Sequence, residues 1–365
     1  MATRREILLG AAALPFGTSA GGEVRAEPPR AALASGVRTA GAAGGAVWRD
    51  GALATTGLPA RGHAMARLPA SGEFVLMGRR PGTFAAILDP ADLDGSRRLL
   101  APAEGHRFAG HAAVAPEGDG FVTSEFDALS MQALLVKREV RTGAELDRWS
   151  LGGLEPHELL YASDGARLVV ALGGLVNDGG VAGPALNPGG IDSALIEVDP
   201  RSGRVLARHR LGPEHASLSL RHLALAPDRQ TVVVGMQDQD LSAARPILGV
   251  LRPGGQIELA ALPDTSEFDF RGYVGSVAVD ASGAFVAATS PRGNLVGLWS
   301  LGDLSWLGGL HAPDVCGLAS GRSSGEFWAS SGLGGILKLR AAGSGLRVEA
   351  QWRSAVEFDN HLLRL

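Results

Sequence analysis

The sequence predicts an all-β fold, a seven-bladed β-propeller, and three observations carry that prediction. A strand-turn-strand unit recurs along the chain, its spacing is close to the length of a propeller blade, and glycines stand singly between apolar runs. The 365 residues are 45% hydrophobic and 20% charged, which supplies a large core and too little charge for a disordered chain. The 52 glycines and 20 prolines punctuate tight turns and form no flexible tract. A net charge of −4, with no basic run beyond the first few residues, argues against a phosphate-tracking surface, so nucleic acid is not an expected partner. Cys316 is the single cysteine, and no intramolecular disulfide closes the fold.

Residues 1–26 read as an export signal. Thr3-Arg4-Arg5-Glu6-Ile7-Leu8 sets an arginine pair ahead of an apolar stretch from Leu8 to Phe16, and Val24-Arg25-Ala26 offers small residues where a signal peptidase reads. The pattern is that of a twin-arginine signal peptide, followed by a linker over 27–36 and the propeller over 37–365. The apolar stretch is too short and too rich in Gly and Ala to span a bilayer, and no later segment approaches about eighteen apolar residues. The mature chain is therefore expected in the periplasm, as a monomer without stable membrane insertion.

Four segments superpose without gaps: Gly62-His63-Ala64-Met65-Ala66, Gly110-His111-Ala112-Ala113-Val114, Pro156-His157-Glu158-Leu159-Leu160 and Arg221-His222-Leu223-Ala224-Leu225. Each leads into a turn with Pro, Asp or Gly and then a second apolar run, as a hairpin of buried strands requires. Two further copies begin at Gly275-Ser276 and Cys316-Gly317, without the histidine. Two more strand-like runs follow each hairpin, such as Ala194 to Val198 and Arg204 to Ala207, which makes four strands per repeat. From His63 the starts fall 48, 46, 65, 54, 41 and 44 residues apart, ending at His361, so there are seven. The last copy, Asp359-Asn360-His361-Leu362-Leu363-Arg364, has only a first strand. Residues 37–58 supply three more, with turns expected at Gly44-Gly45 and Asp50-Gly51, and the two segments together complete one blade.

First strands line the channel of a propeller, so His63, His111, His157, His222 and His361 are expected to converge at one mouth. Five of the nine histidines occupy this equivalent place, with Ser276 and Gly317 in the other two blades. Neutral imidazole is the commonest transition-metal ligand, and the five are candidate ligands for iron, copper or zinc, though imidazoles can equally bond neighbouring blades together. Arg61, Glu158, Arg221, Tyr273 and Cys316 flank the ring as candidate cofactor-binding residues. Arg79-Arg80, Glu125, Asp127, Asn177-Asp178, Gln237-Asp238 and Arg292 are expected on loops around the mouth. Glu158 or Asp178 is placed to orient an imidazole, and the Gly-rich stretch Gly173 to Gly190 to form a lid or a surface excursion. Gly332-Leu333-Gly334-Gly335 lacks the strand-to-helix context of a dinucleotide site, and no nucleophile elbow or catalytic triad is found.

The motifs Arg61-Gly62-His63, Gly110-His111, Glu155-Pro156-His157-Glu158-Leu159, Leu220-Arg221-His222-Leu223-Ala224, Ala288-Thr289-Ser290-Pro291-Arg292-Gly293, Asp314-Val315-Cys316-Gly317 and Asp359-Asn360-His361 together resemble a family of bacterial propellers exported by the twin-arginine route. That family is known as a domain of unknown function, and its genes tend to lie beside imelysin-type periplasmic iron-uptake lipoproteins. The resemblance implies a periplasmic role in iron or haem acquisition and an iron-uptake protein as partner. It supplies no activity. The leading expectation is a metal-binding propeller. The alternatives are a metal-dependent hydrolase or oxidoreductase, and a protein-interaction scaffold whose histidines are structural.

Overall fold

The computed structural model describes residues 31–118, 120–177, 185–187, 190–263, 269–342 and 345–365. The export signal and residues 27–30 of the linker expected before the propeller lie outside these residues. Among those described, seven antiparallel sheets follow one another in chain order. Blades one to six each run from an inner to an outer strand without a crossover. Their inner strands are Gly62–Arg67, His106–Val114, Pro156–Ala162, Leu218–Leu225, Ser276–Val279 and Val315–Ser320.

Blade seven is composite. Ala32–Thr39, Ala42–Arg49 and Ala52–Gly57 form its outer three strands, and the inner edge comes from Glu357–Phe358 and Leu363–Arg364, both paired with Ala32–Thr39. Closure through strands from the two ends of the propeller agrees with the expectation from the last repeat. Two details differ. The first strand starts at Ala32, inside the segment read as linker, and the first turn is Ala40-Gly41, both with positive φ, as a two-residue hairpin loop requires. Gly44 and Gly45 lie within the next strand. A Cβ on Gly44 would stand 2.8 Å from the Thr56 carbonyl oxygen, and one on Gly45 3.1 Å from Leu76 Cδ1, so close approach and not turning explains this pair.

The core is divided among the blade interfaces. Among the described residues seven apolar clusters occur, each shared by two neighbouring blades, for example Val122, Leu135 and Trp149 of blade two with Leu168, Val170 and Ile196 of blade three. The cluster between blades six and seven brings Trp328 and Trp352 against Trp48, with ring centroids 5.7 and 5.0 Å from it. Middle strands are therefore buried on both faces: Phe74–Gly78 and Ala85–Leu88 are buried throughout, while the outer strand Glu145–Leu154 is mostly exposed or half-buried. This explains why the middle strands read as continuous apolar runs and not as alternating ones.

The inner strands carry the irregularities. Pairing with the second strand shifts register between Gly62 and Met65, Phe108 and Ala112, Pro156 and Leu159, Leu220 and His222, and Val315 and Leu318. In blade seven the corresponding interruption lies between Phe358 and Leu363. Every ring histidine sits in or at the edge of such a break, where a bulge re-aims a side chain that regular pairing would direct between the blades.

Removal of the last eight residues, 358–365, takes away the inner edge of blade seven and opens the ring. The truncated chain is expected to lose its cooperative thermal transition, as followed by circular dichroism. A normal transition in that variant would disprove closure as the source of stability.

Candidate functional site

The five imidazoles meet. Going round the cluster, ring centroids lie 5.0 Å apart for His63 and His111, 4.5 Å for His111 and His157, 4.8 Å for His157 and His222, 5.0 Å for His222 and His361, and 4.6 Å for His361 and His63. His111 and His361, not neighbours in this circuit, are also 4.9 Å apart, so the five rings form a compact cluster drawn from blades one, two, three, four and seven. Blades five and six contribute no imidazole, and in blade six the small residue has a structural reason. A Cβ on Gly317 would lie 2.5 Å from Ser330 Oγ and 3.0 Å from the His361 carbonyl carbon, so glycine lets the closing segment approach blade six. Gly110, at φ +101°, similarly makes room for His63, whose Cδ2 would stand 2.9 Å from a Cβ there.

The cluster is buried, with relative exposures of 6, 1, 6, 1 and 8% for His63, His111, His157, His222 and His361. Burial is the main reason that all five stay below the ordinary imidazole value of 6.5, and the surrounding imidazoles and arginines push the same way. Four are held well below it, while His63 is partly restored by Asp359. Neutral rings keep a lone pair, the form that binds a metal. His63 Nδ1 donates to Asp359 Oδ1 over 2.8 Å, which leaves Nε2 as its lone-pair nitrogen. The Nε2 atoms of His111 and His361 lie 3.2 Å apart. Nδ1 of His111, His157 and His222 has no hydrogen-bond partner among the described residues.

Two buried carboxylates organise the surrounding charge. Asp359 accepts from Arg61 Nε and from His63, and Arg79 Nη1 lies 3.5 Å from its Oδ2. Burial opposes its ionisation, but the bond from His63 and the charges of Arg79 and Arg61 win, holding the carboxyl well below the usual carboxylate range. Glu155, at φ +54°, accepts from Arg80 and, at 2.8 Å, from Arg221, while its second oxygen takes the Leu175 amide at 3.0 Å. Both carboxylates open a ring-histidine motif, Glu155-Pro156-His157 and Asp359-Asn360-His361. Neither is singled out as a site residue by the sequence alone, although Asp359 and Glu155 each stand two positions before a ring histidine.

The five flanking candidates divide. Arg61 and Arg221 join these carboxylates. Glu158 lies near the ring, with Oε2 3.5 Å from His222 Nδ1 and 3.0 Å from the Leu223 amide that donates to it. One ligand atom each from His111, Glu158, His222 and His361 can be chosen so that all lie within 4.8 Å of one another. Burial raises the Glu158 carboxyl. Tyr273 Oη accepts from Asn360 Nδ2 at 2.8 Å, and Arg292 lies over its ring, 4.5 Å from the centroid. Cys316 faces the closing segment, its thiol 3.2 Å from the Asp359 carbonyl oxygen. Burial, with the Asp359 charge, pushes it up to about 12, which suits a blade-closing contact and not a nucleophile.

Among the expected mouth residues, Arg79, Arg80, Gln237, Asp238 and Arg292 do line the cavity over the imidazoles. Glu125 does not lie on a loop. It is buried inside the second strand of blade two, accepting from Arg138 at 2.6 Å and Thr123 at 2.7 Å. Its partner lies on the adjacent strand, and the paired charge makes burial tolerable. Asp127 ends the same strand and caps the Ser130 turn. Asp178 and much of the proposed lid lie outside the described residues.

Fold and site together define a seven-bladed propeller with a buried histidine cluster at its channel mouth. The chain belongs to the family described as protein of unknown function DUF1513, which matches residues 56–365. No curated protein matches it in sequence. Among solved structures it is similar to hydrazine synthase of Kuenenia stuttgartiensis, with 12% identity and a TM-score of 0.63 over 84% of this chain and 91% of that one. In all, 1346 solved chains match, so this likeness marks the architecture and not the chemistry. No helix among the described residues is long and apolar enough to cross a membrane.

Protonation of the cluster should appear in stability. Each buried imidazole binds its proton less readily when folded than at the ordinary 6.5, so unfolding takes up protons once the pH falls below that value. Glu158 acts in the opposite sense, as one group against five. The thermal midpoint is expected to hold from pH 8 to about 6.5 and then to fall towards pH 5. The fall should be shallower in a His111→Gln/His222→Gln variant, and an equally steep fall would show that other groups dominate.

Proposed function

We propose that this protein is a periplasmic metal-binding propeller, accessory to iron or haem acquisition, that holds a transition metal through the histidine cluster and docks an iron-uptake protein on the same face. The observation that carries the reading is the compact cluster of five neutral imidazoles drawn from five blades. A scaffold needs one imidazole per blade contact, made to backbone, whereas here the rings turn towards one another, and three keep an unpartnered buried nitrogen.

The donor set fits a metal. Two nitrogens each about 2.0–2.1 Å from one ion, at an angle near tetrahedral, stand about 3.2–3.4 Å apart. His111 Nε2 and His361 Nε2 have a separation of 3.2 Å. His222 and Glu158 complete a set with these two whose four ligand atoms lie within 4.8 Å of one another. All-imidazole ligation, with or without one carboxylate, suits iron, copper or zinc, and the choice of iron rests on the resemblance to exported propellers encoded beside iron-uptake proteins. Export through the twin-arginine route, which carries folded proteins, fits an ion inserted before export.

A second reading draws on the cavity of about 750 Å³ that opens onto His63, His157 and His222. A molecule entering it reaches the imidazoles directly, so a held ion would act as a Lewis acid in a hydrolase or oxidoreductase.

Elemental analysis of protein purified from the periplasm tests the metal. Stoichiometric iron, copper or zinc is expected in the wild type. The His111→Ala/His222→Ala variant is expected to lose it while keeping its fold by circular dichroism. Wild-type protein without metal that also binds none in calorimetry would exclude the reading, and a collapse of the fold in the double variant without metal loss would favour structural histidines.

A further inference from the structure

The cavity above the histidines has an electrostatic character that a metal does not explain. Its walls carry Arg79 and Arg80 from the loop after the second strand of blade one, Arg221 from the inner strand of blade four, and Arg292 from blade five. The single carboxylate among its described lining residues, Asp238, is held by Arg245 at 3.1 Å. Beneath the wall, two buried carboxylates are each shared between guanidiniums: Asp359 between Arg61 and Arg79, and Glu155 between Arg80 and Arg221. Arg292 forms no ion pair among the described residues and lies over the Tyr273 ring. Five guanidiniums thus stand around two fully buried carboxylates.

One of these cations is also short of acceptors. Arg221 is 7% exposed, and its Nε has no hydrogen-bond partner among the described residues although Nη2 is engaged by Glu155. A buried guanidinium with a free donor calls for an acceptor, and a planar fork is matched by a carboxylate.

We infer that this cavity binds a small polycarboxylate, whose separate carboxylates are taken by Arg292 on one side and by Arg79, Arg80 and Arg221 on the others. The arginines come from three blades around the mouth, so the charge is distributed and suits a ligand with several spaced anionic groups better than a single oxyanion. Asn360 and the Tyr273 hydroxyl add polar contacts for its remaining oxygens. This goes beyond the metal reading and does not depend on it, because the guanidiniums keep their charge with or without an ion at the imidazoles.

Calorimetry on the full chain tests the inference with tricarballylate, a tricarboxylate lacking the hydroxyl that makes citrate a strong chelator. Its trimethyl ester and inorganic phosphate serve as comparisons. Tricarballylate is expected to bind with an affinity that falls as salt is raised. The ester is expected to give no heat. Arg292→Ala, which removes a side chain outside the blade cores, should weaken binding by about tenfold or more, as loss of a charge-assisted hydrogen bond does. Its thermal midpoint should stay at the wild-type value, and Arg79→Ala should act in the same direction.

No binding of tricarballylate, equal binding of the ester, or wild-type affinity in both arginine variants would overturn the inference. Phosphate binding as tightly as tricarballylate would also overturn it, by pointing to a single-oxyanion site. Metal content measured in the same preparations keeps the two readings apart. A metal-free protein that still binds tricarballylate supports this inference while sinking the metal, and a metal-loaded protein indifferent to tricarballylate does the reverse.

Discussion

The Asp359 carboxylate is the interaction on which this structure turns. It is almost wholly buried, and three cationic or proton-donating groups converge on it, Arg61, His63 and Arg79, all from the region around the inner strand of blade one. Its own backbone carbonyl accepts from the Cys316 thiol of blade six. One residue of the closing segment therefore fastens blade seven to the blades on both of its sides. Desolvating a carboxylate costs several kcal/mol, and that cost is offset here by hydrogen bonds from Arg61, His63 and the Asn360 amide and by the nearby charge of Arg79. The same carboxylate fixes the tautomer of His63. Closure of the ring and orientation of an imidazole are consequently one event.

The rest of the site follows from how blades pack. Apolar clusters fill the interfaces between blades and leave the inner strands to face the axis, where room is scarce. The strands respond by breaking register at the histidines, and small residues, Gly110 and Gly317, are placed where a neighbour's histidine segment comes closest. The imidazoles can then touch because the backbone has been moved aside for them. Absence of rings from blades five and six leaves that side of the mouth to Tyr273 and Arg292, which line the cavity together with His63, His157 and His222.

Much of this architecture was legible from residue order alone, because a propeller repeats its unit and the repeat carries its histidine at a fixed place. The blade count, the composite closing blade and the meeting of His63, His111, His157, His222 and His361 all followed from aligning first strands. What escaped was set by close contact across the fold. Gly44-Gly45 reads as a turn, and only the position of Thr56 and Leu76 beside it reveals a crowded strand. Glu125 reads as a mouth residue until Arg138 is seen on the neighbouring strand. Asp359 and Glu155 sat inside quoted motifs, yet their importance comes from arginines up to 298 residues away, a separation that spacing within one motif does not encode.

Blade seven has a temporal consequence. Its pairing of Leu33 with Arg364 and of Val37 with Phe358 joins segments separated by nearly the whole propeller. Contacts of such long range are made late and slowly, after the intervening loop has been ordered. His361 belongs to this last segment, so an emerging polypeptide presents at most four of the five imidazoles, loosely held and far from their final spacing. The cluster of five imidazoles is therefore assembled only when this closing segment has paired with Ala32–Thr39.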